Sequence, residues 1–226
     1  MMVHPFDSAM SSDEWKEWLS TTDRFGILAV NNLDRSEAPI VVPTHFTLIG
    51  EEIILHLARP NSVWRHLVGE VLVTLTVIGD YAFIPGYWRA APGVPLAEGV
   101  PTSYYGAVNF VCLPTIVDDP VEKASIIAAQ LEDMQPEGQH ADMAAESSPY
   151  GRMLASVRGL RLKIMSVDAK FKYDDHKPIE HRERVSGNLE ERGRPLDHGT
   201  SEQQKRRLGL IGNWDEFRAH RENEEG

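Results

Sequence analysis

Short apolar segments rich in β-branched residues follow one another along the first half of the chain, separated by polar turns. Phe25 to Asn31 and Pro39 to Leu48 flank the polar stretch 32–37, as the two strands of a hairpin do. Ile53 to Leu57 and Glu70 to Ile78 continue the series. Because helices do not alternate regularly with these strands, the order excludes a βαβ fold. It favours a mainly β protein, an antiparallel barrel with peripheral helices.

The rest of the pattern predicts the peripheral helices and the later strands. We expect Ser12 to cap a first helix, and Asp119 and Pro120 to begin another that ends near Met134. Pro43 predicts a bulge or an edge position in its strand. The further predicted elements are strands at Tyr81 to Ile84, Ser103 to Val117 and Leu160 to Val167, and helices at Asp13 to Ser20, Ser148 to Gly159 and Pro178 to Arg192.

The organisation that follows is one domain over residues 1–193 with a C-terminal tail over residues 194–226. The tail is polar and predicts one short helix, in which Trp214 and Phe217 lie three residues apart and share a face. That face is expected to dock onto the body of the protein or onto a second subunit.

Composition limits the function classes. The chain of 226 residues is 42% hydrophobic, which is enough to build a core, and its net charge is −11. This charge opposes binding to DNA, and no helix-turn-helix with a basic recognition helix is visible. No apolar run approaches the roughly 20 residues of a membrane span, and no signal peptide is visible. The expected location is the cytoplasm, with neither DNA nor a membrane as partner.

The stretch Ile53 to Leu67 is the first candidate binding site. A strand ends at Arg59 and Pro60, and Asn61 can cap a short helix that follows. This geometry would place free backbone amides beside Arg59, Ser62 and Arg65, which suits a phosphate group. On these residues alone, a surface turn with two solvated arginines is an equal alternative.

The segment from Pro85 to Thr102 is the second candidate. It is rich in proline and glycine, contains Tyr87 and Trp88, and is longer than an ordinary hairpin loop. Loops of this kind are often binding loops or lids. An interface loop with buried aromatic side chains fits the composition equally well.

No catalytic constellation or metal site is predicted. Cys112 lies in an apolar strand, which indicates a core residue rather than a nucleophile. His45, His56 and His66 could reach one pocket, but no ligand motif accompanies them. Neither a dinucleotide-binding glycine motif nor a P-loop is present.

The order and wording of several segments resemble the FMN-binding negative transcriptional regulators of the PaiB family. The resemblance covers most of residues 20–190, and its most specific part is the pattern HxARxNxxW. The matching segments are THF at Thr44 to Phe46, HLARPNSVWR at His56 to Arg65, EVLVTLTVIGDYAFIPGYW at Glu70 to Trp88, VPTSYYGAV at Val100 to Val108, DDPVEK at Asp118 to Lys123, RGLRLKI at Arg158 to Ile164 and KFK at Lys170 to Lys172.

The resemblance implies the FMN-binding split β-barrel, an antiparallel Greek-key type, and a homodimer with FMN at the subunit interface. It makes the turn after Leu57 the candidate site for the FMN phosphate, which arginine can grip with two donors. Lys170 and Lys172 match the late basic strand of the family and would approach the same phosphate or the partner chain. The implied cofactor-binding residues are His45, His56, Arg59, Asn61, Ser62, Arg65, Lys170 and Lys172.

The sequence departs from the family pattern elsewhere. Ser103-Tyr104-Tyr105 stands where the family often has WNY, Asn109 where it has histidine, and Asp174-Asp175-His176 where SQN is common. We therefore expect Trp88, Tyr104 and Tyr105 to line a substrate pocket beside the flavin ring, with a changed substrate or none.

Two function classes follow from these features. The first is a flavin-dependent oxidoreductase acting on a small molecule, with a nicotinamide as a fitting electron donor. The second is an FMN-binding regulator of the PaiB type that acts through a partner. A haem-binding split barrel is a more distant alternative, because His45 or His56 could ligate iron.

Overall fold

A computed structural model describes residues 1–144 and 149–224 of the protein. The strands are β1 (Phe25–Val30), β2 (Ile40–His45), β3 (Thr47–Ile49), β4 (Glu52–Ala58), β5 (Val73–Ile84), β6 (Thr102–Val117) and β7 (Val157–Lys172). The helices are α1 (Ser12–Ser20), α2 (Gly86–Arg89), α3 (Pro120–Met134), α4 (Gly151–Leu154), α5 (Ile179–Arg192), α6 (Asp197–Ile211) and α7 (Trp214–Glu224). Short 3-10 helices lie at Pro5–Asp7, Ser62–His66 and Leu96–Glu98.

The chain divides into two compact units. The sheet unit contains Thr22–Val77 and Asn109–Val167, and the helical unit contains Met1–Thr21, Ile78–Val108 and Asp168–Gly226. The predicted boundary between residues 193 and 194 differs from this division and stays a prediction.

The described strands form one sheet with the order β2-β1-β5-β6-β7-β4-β3, in which β1 to β4 belong to the sheet unit and β5, β6 and β7 have residues in both units. The pairs β1–β2, β1–β5, β3–β4 and β4–β7 are antiparallel. Along β1, Gly26, Leu28 and Val30 are buried and Phe25 and Ile27 are exposed, which is the alternation of a strand with one covered face. The predicted hairpins and the exclusion of a βαβ fold are therefore confirmed.

Helix α3 covers part of this sheet through a small apolar cluster. Ile54, Val117 and Ile126 are buried together. Gly159, paired with His56 in the β4–β7 register, makes the close approach feasible, because a Cβ there would lie 2.7 Å from Ile126 Cδ1. Gly159 is therefore a packing position inside β7, and the prediction that a helix extends from Ser148 to Gly159 was wrong at this end.

Several predicted boundaries need correction. Ser11, not Ser12, caps α1 by accepting a hydrogen bond from the Glu14 amide. The predicted strand Pro39 to Leu48 is broken at Phe46, whereas Pro43 pairs in register on the edge strand β2. Of the two alternatives predicted for Pro43, a bulge or an edge position, the edge position is confirmed. Ser148, the predicted start of a short helix, lies outside the described residues.

In the helical unit, α1 packs through a large aromatic residue against the parts of β5 and β6 that belong to the same unit. Trp18 is 2% exposed and lies against two glycines of β5 and β6. A Cβ would lie 2.7 Å from its ring at Gly79 and 2.9 Å at Gly106, so glycine leaves the space that the indole fills. Phe171 contacts Trp18 edge-on, with ring centroids 5.5 Å apart.

The C-terminal tail belongs to the same unit. Its described residues form two helices, where one short helix was predicted. Helix α5 ends at Gly193, whose φ of 60° is the left-handed conformation of a C-cap. Helices α6 and α7 follow, and α6 packs against α5. Trp214 and Phe217 stack on each other in α7, and Trp214 meets Phe6 edge-on within the same unit. No described helix is long and apolar enough to cross a membrane.

Two adjacent aspartates at the end of β7 tie the helical unit together. Asp175 accepts hydrogen bonds from Arg182 and Arg207, each at 2.7 Å, and all three side chains are 0% exposed. Arg207 also donates to Glu14 of α1 at 2.8 and 2.9 Å. Because these charges are removed from water, each must be paired, and the pairs fix α1, α5 and α6 around the end of β7.

Candidate functional site

The turn after β4 is held in place by two hydrogen bonds and two buried side chains, while its other side chains are exposed to solvent. Asn61 accepts a hydrogen bond from the Val63 amide at 3.0 Å, and Trp64 Nε1 donates to the Ala58 carbonyl at 2.9 Å. Val63 and Trp64 are buried. These contacts leave the side chains of Arg59, Ser62 and Arg65 exposed, on the 3-10 helix Ser62–His66 and the turn that precedes it. We call these three residues the cationic turn.

The first arginine of the cationic turn is oriented by its neighbours in the sheet unit. Arg59 Nε donates to the Ala155 carbonyl at 2.9 Å, and its Nη2 lies 3.4 Å from Asp118. Asp118 is shared, because Arg158 grips it with two donors. The hydrogen bond from Arg158 lowers the pKa of Asp118, so this carboxylate stays charged.

A buried lysine adds positive charge to this group. Lys123 is 3% exposed, and its ammonium donates to the carbonyls of Leu154 and Val157 at 2.6 and 3.3 Å. Burial lowers the pKa of Lys123, and the charge of Arg59 lowers it further. The three cations Arg59, Lys123 and Arg158 thus outnumber the two neighbouring carboxylates, Asp118 and Asp119, which leaves the surroundings favourable for an anion.

The second arginine of the cationic turn meets a histidine that already has a donor. Arg65 Nε lies 2.7 Å from His66 Nε2, and the Leu33 amide donates to His66 Nδ1 at 3.1 Å. A neutral imidazole has one acceptor nitrogen, so His66 cannot accept both hydrogen bonds at once. Since the backbone amide and the guanidinium compete for it, Arg65 is not fully satisfied within the sheet unit.

The other predicted histidines lie in different surroundings. His56 Nδ1 is 2.7 Å from Gln130 Oε1 of α3, and His56 lines an apolar cavity of about 180 Å³ with Leu131, Met153 and other side chains. His45 is exposed at the end of β2, where its ring meets Phe25 edge-on at 4.9 Å. Each ring contacts a different element. The binding roles of His45 and His56 stay predictions.

The two basic residues of the late strand, Lys170 and Lys172, belong to the helical unit and are engaged there. Lys170 is 8% exposed, donates to the Met2 carbonyl at 3.0 Å and lies 3.9 Å from Asp7. Burial raises the pKa of Asp7 to about 6, although Lys170 opposes this. Lys172 donates to Thr102 Oγ1 at 2.8 Å. Their predicted approach to the phosphate is not tested by these contacts and stays a prediction.

Tyr104, one of the three residues predicted to line the substrate pocket, is buried in the structure. This tyrosine is 0% exposed, and its hydroxyl donates to Asp174 at 3.0 Å. Burial and the charge of Asp174 raise its pKa well above the ordinary value. Tyr104 is therefore buried in this structure, and its predicted place in a pocket beside the flavin ring stays a prediction. Trp88 and Tyr105 are half-buried, so their predicted substrate role remains open to test.

The contacts of Asp174 were not predicted, because the sequence showed this residue only as a departure from the family pattern. Asp174 has a φ of 58° and accepts hydrogen bonds from Arg89 at 2.8 and 3.0 Å and from His181 at 3.3 Å. Burial would raise its pKa, but the hydrogen bonds from His181 and Arg89 outweigh burial and hold the pKa well below the ordinary value. Arg89 also donates to the Val100 carbonyl. Asp174 therefore holds the Pro85 to Thr102 segment in place through its hydrogen bonds with Arg89.

The sheet unit, with its antiparallel strands and covering helix, is of the split-barrel class that binds flavins. Residues 1–166 match the family described as "Putative FMN-binding domain", and the chain belongs to this family. The expected cofactor, FMN, is confirmed as the cofactor of that family. No protein of curated function matches the sequence.

Solved structures share the fold at low identity. A FAD and haem binding protein from Mycobacterium smegmatis has 17% identity and a TM-score of 0.56, covering 73% of each chain. The flavocytochrome Anf3 from Azotobacter vinelandii has 13% identity and a TM-score of 0.54, covering 73% of this chain and 69% of that one. The conserved hypothetical protein Rv2991 from Mycobacterium tuberculosis has 17% identity and a TM-score of 0.53, covering 76% and 90%. The predicted fold class, mainly β with peripheral helices, is confirmed.

The donor set of the cationic turn fits the phosphate of FMN. Two exposed guanidinium groups and a hydroxyl stand on a segment whose apolar residues are buried, and one guanidinium lacks a secure acceptor. Phosphate is dianionic near neutral pH and accepts such hydrogen bonds with charge assistance. Arg59, Ser62 and Arg65 would hold it.

Proposed function

We propose that this protein is a flavin-dependent oxidoreductase that acts on a small molecule. The observation that carries the proposal is the cationic turn, an exposed pair of arginines fixed on buried neighbours within the FMN-binding domain. FMN, when bound, supplies the electron-transfer chemistry, and the protein supplies binding, orientation and electrostatics. Arg59 and Arg65 would neutralise the phosphate, while Ser62 would donate a further hydrogen bond.

The proposal includes a homodimer with FMN between the two subunits, as the resemblance implies. Trp88 and Tyr105 would then shape the substrate side, since aromatic side chains bind small apolar groups and stack on planar ones. A nicotinamide is the proposed electron donor. A cytoplasmic location is proposed with it.

Removal of one arginine tests the proposed site. Arg59→Ala is expected to weaken FMN binding by about 1.5–3 kcal/mol, the scale of a charge-assisted hydrogen bond, or roughly 10- to 150-fold in Kd. Flavin fluorescence titration measures the Kd. Riboflavin, which lacks the phosphate, is expected to bind wild type and variant alike.

Arg161→Ala is the matched control. Arg161 also lies in the sheet unit, but it is not part of the cationic turn, and its guanidinium pairs with the Glu52 carboxylate at 2.6 Å. FMN affinity should be unchanged in this variant. Equal FMN affinity in wild type and Arg59→Ala would show that the phosphate site is misplaced.

The second candidate is a PaiB-type regulator acting through a partner, which the matching segments favour. Its distinguishing measurement is turnover. Steady oxidation of a reduced nicotinamide by the FMN-loaded protein supports the enzyme, and flavin binding without turnover across nicotinamides and small electron acceptors supports the regulator. The net charge of −11 makes DNA an unfavourable partner for either function.

A further inference from the structure

The donor conflict at His66 carries an inference beyond the phosphate contacts themselves. His66 is 3% exposed and belongs to the same short helix as Arg65. Its two ring nitrogens face the Arg65 guanidinium and the Leu33 amide, a residue 33 positions earlier in the chain. A neutral imidazole has one N–H donor and one acceptor nitrogen, so the ring can accept from only one of these two donors at a time.

Each neutral tautomer satisfies one donor and abandons the other. With its proton on Nδ1, the ring accepts from Arg65 through Nε2, but its N–H then points at the Leu33 amide. With its proton on Nε2, it accepts from Leu33, but that N–H points at Arg65 Nε. Both hydrogen bonds are partly buried and Leu33 itself is 60% exposed, so neither donor excludes the other from the single acceptor nitrogen. An anion at Arg65 therefore removes the conflict.

Leu33 belongs to the segment between β1 and β2, which lines a cavity. That cavity has a volume of about 650 Å³, and its lining includes Leu33, Arg35, His66, Val68 and Val71. Inside the segment, Asn32 donates to the Glu37 carboxylate at 2.8 Å and accepts from the Asp34 amide at 3.1 Å. The bond from the Leu33 amide to His66 connects this internally ordered segment to the helix that carries Arg65.

We propose that His66 is a positioning residue that couples phosphate binding at Arg65 to the β1–β2 segment and its cavity. When a phosphate oxygen accepts the Arg65 Nε–H, the His66 proton resides on Nε2. Nδ1 then accepts from the Leu33 amide without competition. This hydrogen bond holds the β1–β2 segment in its place along the cavity. The inference rests on the proposed FMN phosphate site and assigns that site a structural consequence.

Amide exchange and ring nitrogen shifts test the coupling in the full-length protein labelled with ¹⁵N. Saturating FMN is expected to slow hydrogen exchange of the Leu33 amide by at least about twofold, because two equal donors would share one acceptor for half the time each. The His66 ¹⁵N shifts should move to those of a single Nε2–H tautomer. Inorganic phosphate at saturation should act like FMN, and riboflavin should leave the exchange unchanged.

Two arginine variants separate coupling from simple binding. Arg65→Ala removes the competing donor, so the Leu33 amide is expected to exchange slowly without any ligand and to show no further response to FMN. Arg59→Ala is the matched control, because Arg59 contacts Asp118 and Ala155 rather than His66. At FMN concentrations that saturate it, Arg59→Ala should keep the wild-type response.

The outcomes distinguish the two proposals. If Arg65→Ala weakens FMN binding but FMN leaves Leu33 exchange unchanged in wild type, the phosphate site stands and the coupling is refuted. An equal response to riboflavin and FMN refutes the coupling as well. If neither arginine variant affects FMN affinity, the phosphate site itself is wrong.

Discussion

Replacement of Asp175 by asparagine tests whether the helical unit is held together by its buried charges. The Asp175 carboxylate accepts one hydrogen bond from Arg182 and one from Arg207, and all three side chains are 0% exposed. Asparagine has nearly the same volume as aspartate, so Asp175→Asn adds no cavity to the effect. Two guanidinium groups remain buried with too little negative charge, and the loss of one member of such a group costs about 3–5 kcal/mol.

The assay is urea denaturation followed by tryptophan fluorescence. With a slope of about 2.5 kcal/mol per molar urea, a loss of about 4 kcal/mol lowers the midpoint by about 1.6 M while the slope stays constant. Glu190→Gln is the control, because Glu190 and its partner Lys205 are exposed at 43% and 53% and their pair is screened by water. Its midpoint should not move measurably. A midpoint for Asp175→Asn within experimental error of this control would refute the assignment of the buried charges as the main tie.

Two further predictions follow from titratable groups. Cys112 is buried, and burial raises the pKa of its thiol to about 12, so a thiol reagent at pH 8 should label it only after the protein unfolds; rapid labelling of the native protein would contradict its core position. The pKa of Asp7 is raised from 3.8 to about 6, so between these values the native carboxyl keeps a proton that the unfolded chain has lost, and its stabilising contribution declines as pH rises through that window. The stability of Asp7→Asn relative to wild type should accordingly rise by about 2 kcal/mol from pH 4 to pH 6, with a limiting slope of about 1.4 kcal/mol per pH unit, and a flat difference in denaturation midpoints would contradict the raised pKa.

Local patterns predicted most of the sheet because the alternation of side chains decides strand position directly. The segments around β1, β4 and β6 are apolar and β-branched, and turn residues bound them, so periodicity located them. The break at Phe46 was not predictable in this way. It follows from where β2 and β3 find their partners, β1 and β4, and a partner is not a property of the segment itself.

Only the local part of the candidate site could be predicted from the sequence, because the partners of a segment are not a property of the segment itself. The turn with Arg59 and Arg65 is local, and its sequence carries proline, a capping asparagine and two arginines. The carboxylate that orients Arg59 comes from Asp118, 59 positions away, and Arg158 shares it from β7. Both lie in the segments DDPVEK and RGLRLKI, whose resemblance to the family was the one signal available before the fold.

Asp174-Asp175-His176 has a structural role that its departure from the family pattern did not indicate. Interpreted along the sequence, the acidic residues indicated an altered pocket beside the flavin ring. In the structure, Asp175 pairs with Arg182 of α5 and Arg207 of α6, and these helices lie beyond the residues 1–166 that match the family. Asp174 pairs with Arg89 and His181 in the same unit.

The Asp175 carboxylate and helices α5 and α6 therefore depend on each other structurally. An aspartate buried without its arginine would carry an uncompensated charge, and the arginine without the aspartate would do the same, so neither half is stable alone. The altered residues at positions 174 and 175 then reflect how this chain attaches its C-terminal helices. The half-buried Trp88 and Tyr105 lie outside these ion pairs, and they stay the predicted residues of the substrate side.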